Sequence, residues 1–321
     1  MTPTVSVAIK SYNHAAYVHE SIASVLAQSF QDFEIVVTDD GSTDGTPDVI
    51  AQFADPRISL ERFERNRGIS EAMNATTARA RGEFVAILNS DDFALPDRLQ
   101  TQVAFLRAHP EIAAVFGRAR CVGEDGEPLD GLDLFAVPFD GGSAPRHAWL
   151  RHFFFHGNCL CAPTAMVRRS ALEAGRYDPR LTNLQDLDRW VQLLEHHEIH
   201  VLPDELTAFR VRAGNLNMSA RRRDSVLRGV FETFEILKRY RGFDRTFLRE
   251  MFAEDILRHA VDTSGPTGVW LAEIALTARS GVHPLFALDT LFGAAARPED
   301  MERLRGLAGE LNVFRIPEPL D

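Results

Sequence analysis

The feature that most constrains this chain is a run of five apolar residues, Phe84 to Leu88, that breaks without transition into Asn89, Ser90, Asp91 and Asp92 (FVAILNSDD). A short continuous apolar run closed by turn residues reads as a fully buried strand. Two neighbouring carboxylates at its end repel each other. They require an offsetting partner: a divalent cation carrying a phosphate ligand, or open solvent at a surface turn.

The run belongs to a series. Residues 5–10 (VSVAIK), 33–38 (FEIVVT) and 58–63 are further strand segments rich in β-branched residues. Between them lie helical patterns. Residues 17–28 carry Val18, Ile22, Val25 and Leu26 at helical spacing; residues 46–53 open with Thr46 as N-cap and Pro47 at the first helical position; residues 70–81 end at Gly82. Strands alternating with helices predict parallel βαβ units and an α/β, doubly wound, mostly parallel sheet. Ligands of such sheets sit beyond the carboxyl ends of the strands. Three polar clusters fall there and converge on one edge: Ser11-Tyr12-Asn13, Asp39-Asp40 and residues 89–92.

Further along, the patterns predict a helix over 96–109, a short strand over 113–118, a Gly-, Pro- and Asp-rich loop over 123–147 and an aromatic segment from Trp149 to Phe155. A helix follows over 166–174, ended by Gly175, and another over 187–196 with Asp186 just before it. After Arg212, charges mixed with Phe and Leu read as a mostly helical extension, residues 215–321.

Composition narrows the classes. The chain has 321 residues, 45% of them hydrophobic and 25% charged, as in soluble globular proteins. Its net charge of −11 argues against nucleic acid as a partner, since a phosphate backbone calls for clustered Lys and Arg. The opening MTPTVSVAIK enters a strand pattern without a basic segment and apolar stretch, and no apolar run reaches the ~18 residues of a membrane span. Three cysteines, Cys121, Cys159 and Cys161, make no disulfide framework, and the expectation is a cytoplasmic protein.

Each cluster has two readings. Asp39-Asp40 before GSTDGT is a turn, or it presents a carboxylate to the N3–H of a pyrimidine such as uracil or thymine. Residues 89–92 cap the next helix, or hold a hard cation; Mg²⁺ and Mn²⁺ take few protein carboxylates and fill the rest with water and phosphate. Asp186 and Asp188 are helix-start acids, or one of them is a general base. Cys159 and Cys161 read as core packing, as does the run Phe153 to Phe155, whose sharper reading is an acceptor platform. Arg221, Arg222 and Arg223 form a solvated face or a patch for anionic lipid headgroups. The apolar stretch 284–296 serves internal packing, homodimer formation or peripheral membrane contact.

The ordered segments VSVAIKSYNHAAYVHESIASVLAQSFQDFEIVVTDDGSTDGT, NRGISEAMNATTARARGEFVAILNSDD, PTAMVRRSALEAGRYDP and QDLDRWVQL resemble the family 2 inverting glycosyltransferases. The resemblance covers residues 4–212. It implies a GT-A catalytic domain over 1–214, with a nucleotide-sugar half to about residue 118 and an acceptor half from 119 to 214. It implies a UDP- or dTDP-sugar donor, Mn²⁺ or Mg²⁺, and a glycan, lipid-linked or protein-linked acceptor, with the enzyme in the cytoplasm or at the inner face of a membrane. By position, Tyr12 would lie against the base and the Lys10-Ser11 backbone would line its pocket. Asp40 would accept from the pyrimidine, with Asp39 supporting the turn. Arg67, Gly68 and Asn74 would border the donor, Asp91 would face the ribose, Asp92 would hold the metal, and Asp186 would be the base. The family often has Asp where this chain has Asn89, and Gln185 replaces the usual glutamate before the base. A sugar-1-phosphate nucleotidyltransferase is the rival enzyme, but SYNHAAY after strand one lacks the glycines of a triphosphate loop. A non-catalytic sugar-nucleotide-binding scaffold is the third reading.

Overall fold

Strand β1 (Val5–Ser11) lies inside the sheet, between two parallel partners, β2 (Phe33–Asp39) and β4 (Phe84–Asn89), and β3 (Ile58–Arg62) pairs in parallel outside β2. The structure is a computed structural model and describes residues 2–132, 134–139, 142–212 and 223–294. It divides into two compact units, Met1–Glu232 and Thr233–Asp321. The sequence pattern alone places the change of character earlier, at residue 215.

In the first unit, alternate residues of the central strands face one side. Val5, Val7 and Ile9 of β1, Ile35 and Val37 of β2, and Ala86 and Leu88 of β4 share a buried core with Val18, Ile22 and Val25 of helix α1 (Val18–Leu26). Ile50 of α2 (Thr46–Ala51) and Leu99, Val103 and Leu106 of α4 (Arg98–Ala108) complete it. Each buried Val, Leu or Ile of this set contributes ~1.5–3 kcal/mol. Helix α3 (Ile69–Arg79) serves the opposite face, where Thr76 Oγ1 donates to Thr38 Oγ1 at 2.7 Å. Thr46 is the first residue of α2 rather than its N-cap. Gly45 takes the cap position with φ +86°, and the Thr46 hydroxyl accepts from His14 N–H at 2.9 Å.

The sheet continues beyond β4 in a mixed arrangement. Among the described residues it has eight strands in the order β3-β2-β1-β4-β7-β6-β8-β5. Here β5 is Phe93–Ala94, β6 is Ile112–Val122, β7 is Met166–Arg168 and β8 is Glu198–Arg210. The helix expected over 166–174 is thus divided: its first three residues are β7, antiparallel to both β4 and β6, and only Arg169–Glu173 is helical (α6). The aromatic segment lies in α5 (Arg146–His156), with Trp149, Phe153 and Phe154 buried, and α7 spans Gln185–Leu194.

Two buried side chains of α4 reach carbonyls of β4, of β6 and of the segment just before the short β7. Arg98 Nη2 donates to Ile87 O and Ala165 O, and Gln102 Nε2 donates to Thr164 O at 2.7 Å and Val115 O at 3.3 Å. Gln102 Oε1 accepts from Arg98 Nε. Burial lowers the Arg98 pKa to about 10, which leaves it charged at neutral pH.

Helix α8 (Arg223–Leu237) runs from the first unit into the second. The second unit continues with α9 (Arg245–Met251), α10 (Ala253–Arg258), α11 (Thr267–Leu276) and α12 (Val282–Ala294). Asp244 caps α9 by accepting from Thr246 N–H and Phe247 N–H. Part of the apolar stretch 284–296 forms α12, which buries Phe286 and Ala287 and exposes Leu285 and Phe292. Residues 295 and 296 lie outside the described residues, as do Arg221 and Arg222. Among the described residues, no helix is long and apolar enough to cross a membrane.

Gln102→Leu keeps the volume of the side chain but leaves Thr164 O, Val115 O and Arg98 Nε without their partner. We expect a loss of ~2–4 kcal/mol in stability, read by urea unfolding of the full chain.

Candidate active site

The switch point of the sheet lies between β1 and β4, where crossovers leave in opposite directions. Their last register pair is Lys10 with Asn89, and the Lys10 ammonium donates to Asn89 Oδ1. Burial lowers the Lys10 pKa, while the charges of Asp91, Asp92 and Asp186 raise it. Carboxylates from two segments about a hundred residues apart thus act on one cation.

The adjacent acids have different surroundings. Asp92 is 1% exposed; its Oδ1 accepts from Arg210 N–H at 2.8 Å and its Oδ2 from Asn89 Nδ2 at 2.8 Å. Burial first, and the charge of Asp91 second, push its pKa well above the usual carboxylate range. The Asp91 side chain is 14% exposed and lies 3.8 Å from His14 Nε2. Solvent therefore reaches Asp91 more than Asp92. Burial keeps His14 neutral by lowering its pKa. Its Nε2 faces Arg212 Nη1 at 3.2 Å and its Nδ1 faces Ser90 Oγ at 2.8 Å. An arginine only donates, so Nε2 is the acceptor and the proton sits on Nδ1.

Arg210 fastens this corner. Pairing of β5 with β8 brings the end of β8 beneath the 89–92 turn. The buried guanidinium donates to Asp91 O at 2.8 Å, Gly123 O at 3.0 Å, Glu124 O at 2.6 Å and the Glu20 carboxylate. It also lies 5.0 Å from the centroid of the Tyr17 ring. Sequence reasoning missed Arg210 because it missed β8, and no local pattern distinguishes this arginine.

At the neighbouring strand end, Asp39 is fully buried and supports the turn, accepting from Ser42 N–H at 2.9 Å and from Ser42 Oγ. Asp40 fixes a second loop: its Oδ1 accepts from Arg67 N–H at 2.6 Å and its Oδ2 from Gly68 N–H at 2.9 Å. Burial raises its pKa and these two N–H groups oppose the rise. At 3% exposure, Asp40 holds the loop beside the pocket and has only residual lone pairs for a base edge. The Arg67 guanidinium is exposed and lies 4.4 Å from the Phe63 ring centroid. Tyr12 is 43% exposed, and the Ser11 hydroxyl is buried without a partner.

Asn74 is held at both ends: its Nδ2 donates to Tyr177 O at 2.8 Å and its Oδ1 accepts from Tyr177 N–H at 3.0 Å, so the amide ties α3 to the segment before α7. Asp186 is half-buried at the start of α7; its Oδ1 accepts from Leu187 N–H at 2.8 Å and its Oδ2 from Asn158 Nδ2 at 2.9 Å. Burial pushes its pKa up to about 6, against the pull of those donors and of Lys10. Asp188 is 1% exposed and accepts from Gln192 Nε2 at 2.6 Å, so Asp186 is the less buried of the two acids. Burial also raises both thiols of the C-x-C pair, Cys159 to about 11, which keeps them protonated.

A model described as glycosyl transferase family 2 matches residues 6–176, and the chain belongs to that family. The uncharacterized glycosyltransferase MJ1057 of Methanocaldococcus jannaschii is 28% identical over 214 residues, 65% of this chain and 71% of the relative. TuaG of Bacillus subtilis, a glycosyltransferase named for teichuronic acid biosynthesis, is 33% identical over 196 residues, 60% of this chain and 73% of the relative. Among solved structures, S. aureus TarS 1–349 in complex with UDP-GlcNAc aligns with a TM-score of 0.61 at 21% identity, over 89% of this chain and 88% of that one. The mannosyltransferase PcManGT from Pyrobaculum calidifontis, in complex with GDP-Man and Mn²⁺, aligns at 0.51 and 20% identity, over 98% and 82%. The chain is a glycosyltransferase with the GT-A fold.

Gly41 follows Asp40 with φ +74°, and a Cβ there would lie 2.5 Å from the Arg65 carbonyl carbon and 2.7 Å from Asn66 N. Gly41→Ala is expected to push the 65–68 loop away from Asp40. Hydrogen exchange at the Arg67 and Gly68 amides should then quicken while β1 and β4 amides keep their protection.

Proposed function

We propose that this chain moves a sugar from a UDP- or dTDP-sugar to a hydroxyl of a glycan, lipid-linked or protein-linked acceptor, with inversion, in a single displacement. The observation that carries this reading is Asp186. It is a half-buried carboxylate with its pKa raised to about 6, and its charge acts on Lys10 together with those of the two acids that follow β4. TuaG's place in teichuronic acid biosynthesis and the UDP-GlcNAc complex of TarS support a polysaccharide-type acceptor and a pyrimidine nucleotide. The GDP-Man complex of PcManGT makes a guanine nucleotide the control that a donor panel must include.

The residues suit a divalent cation completed by the donor. Among the described residues, no group of three or more His, Cys, Asp or Glu could hold a metal by itself. Mg²⁺ and Mn²⁺ need only one or two protein carboxylates when phosphates and water fill the remaining positions. Asp91, the outward acid, with Asp92 behind it, would hold the ion. An ion there stabilises the negative charge that develops on the departing diphosphate. The Ser11 hydroxyl, buried and unpartnered, is available to the nucleotide, and Tyr12 offers its exposed ring to the base.

In the transfer step, an acceptor hydroxyl attacks the anomeric carbon from the face opposite the diphosphate. Asp186 takes the hydroxyl proton. Its raised pKa makes it a stronger base than a solvated aspartate while leaving it ionised above about pH 6. The nearby Lys10 ammonium favours that ionised form and adds positive charge at the donor end. No covalent intermediate is needed, so one displacement inverts the anomeric centre.

Asp186→Asn should lower turnover by ~10²–10⁴-fold while the nucleotide still binds, as measured by steady-state transfer and calorimetry on the same preparation. A base must be deprotonated to act. Wild-type kcat should therefore hold above about pH 6 and fall as pH drops through that value. Asp91→Ala should abolish the Mn²⁺-dependent part of nucleotide binding. A wild-type protein that binds UDP, dTDP and GDP equally with and without metal would overturn the donor and cation assignments.

A further inference from the structure

The start of α7 has no cap of its own. Leu184 occupies the N-cap position and contributes no side-chain hydrogen bond to the helix. The segment entering the helix is instead gripped from α8. Glu232, 1% exposed, accepts from Thr182 N–H at 2.9 Å and Thr182 Oγ1 at 3.1 Å through Oε1, and from Asn183 N–H at 2.9 Å and Leu184 N–H at 2.7 Å through Oε2. Three consecutive backbone N–H groups thus converge on one carboxylate, a concave anion nest filled by a side chain 48 or more residues away in sequence. Two further bonds join the same elements: Arg228 Nη1 donates to Thr182 Oγ1 at 2.9 Å, and Asn183 Nδ2 to Ser225 O at 3.1 Å.

Asp186 begins two residues after the last of these amides. Its carboxylate is aimed by Leu187 N–H, on α7 itself, and by Asn158. A shift of the entry to α7 therefore carries the carboxylate with it. We propose that Glu232 is a positioning residue for acceptor deprotonation: it fixes the three amides that lead into α7 and thereby sets where Asp186 points. The inference rests on Asp186 being the base. Glu232 lies outside the family-matched residues 6–176, and nothing in its local sequence marks it.

The test is a double-mutant cycle on the full chain, with Glu232→Gln, Asp186→Asn and the double variant, read as kcat, donor KM and nucleotide affinity at high enzyme concentration. Glutamine keeps the size of the side chain but turns a donor towards the amides that one carboxylate oxygen accepts from. A displaced catalytic group costs up to ~100-fold, so Glu232→Gln should lower kcat by ~10–100-fold, with nucleotide affinity unchanged. In the Asp186→Asn background the same change should have no further effect, because the group it positions is gone. Glu232→Asp keeps the charge with a shorter reach and should fall between wild type and Glu232→Gln; it takes the place of Glu232→Gln in the cycle if that variant does not fold. Wild-type kcat in Glu232→Gln, an equal loss in both backgrounds, or a parallel loss of nucleotide affinity would each overturn the proposal. If Asp186→Asn itself turns over normally, the assignment of the base fails and this inference fails with it. An inactive Asp186→Asn with an additive cycle removes Glu232 alone.

Discussion

Two carboxylates cannot be packed side by side at the end of a buried strand unless positive charge and hydrogen-bond donors reach them. The head of this sheet is arranged around that condition. Lys10 supplies the charge from the adjacent strand, the Arg210 backbone N–H and the Asn89 amide close over Asp92, and Asp91 is left as the member that faces water. Asn89, where the family often carries an acid, fits this balance. A third carboxylate would compete for the same ammonium, whereas the amide accepts from Lys10 and donates to Asp92 at once.

The same balance sets the chemistry of the second segment. Burial alone would raise the Asp186 pKa further. Leu187 N–H, Lys10 and Asn158 hold it to about 6. The acid expected to accept a proton and the buried Asp92 are therefore both tuned by one shared lysine.

Much of this was legible in the sequence, and the limits have physical causes. Strands β1 to β4 with α1 to α3 follow from short runs whose burial is local and whose polar ends stand out. The acids proposed for the site stand out for the same reason. The strand β7 was hidden because Met166, Val167 and Arg168 run directly into a helical pattern, and three residues are too few to show a period of two. The strand β8 was hidden because Pro203, Asp204 and Glu205 interrupt it, at the place where its register with β6 shifts. The tie from Asn74 to Tyr177 was hidden because the two residues lie far apart in sequence and no local pattern pairs them. The choice between Asp186 and Asp188 needed burial, which two acids at the start of one helix do not reveal.

The parallel pairing of β8 with β6, running out to Arg210 opposite Val122, has a consequence for anyone who wishes to cut and join this chain. The portion that a family pattern recognises ends at residue 176, which invites a splice there. A chimera joined at that point would take its acidic strand ends from one parent and the arginine that closes over them from another. The compact unit that holds both runs on to Glu232, within α8, so the recognisable portion stops well short of that unit's end.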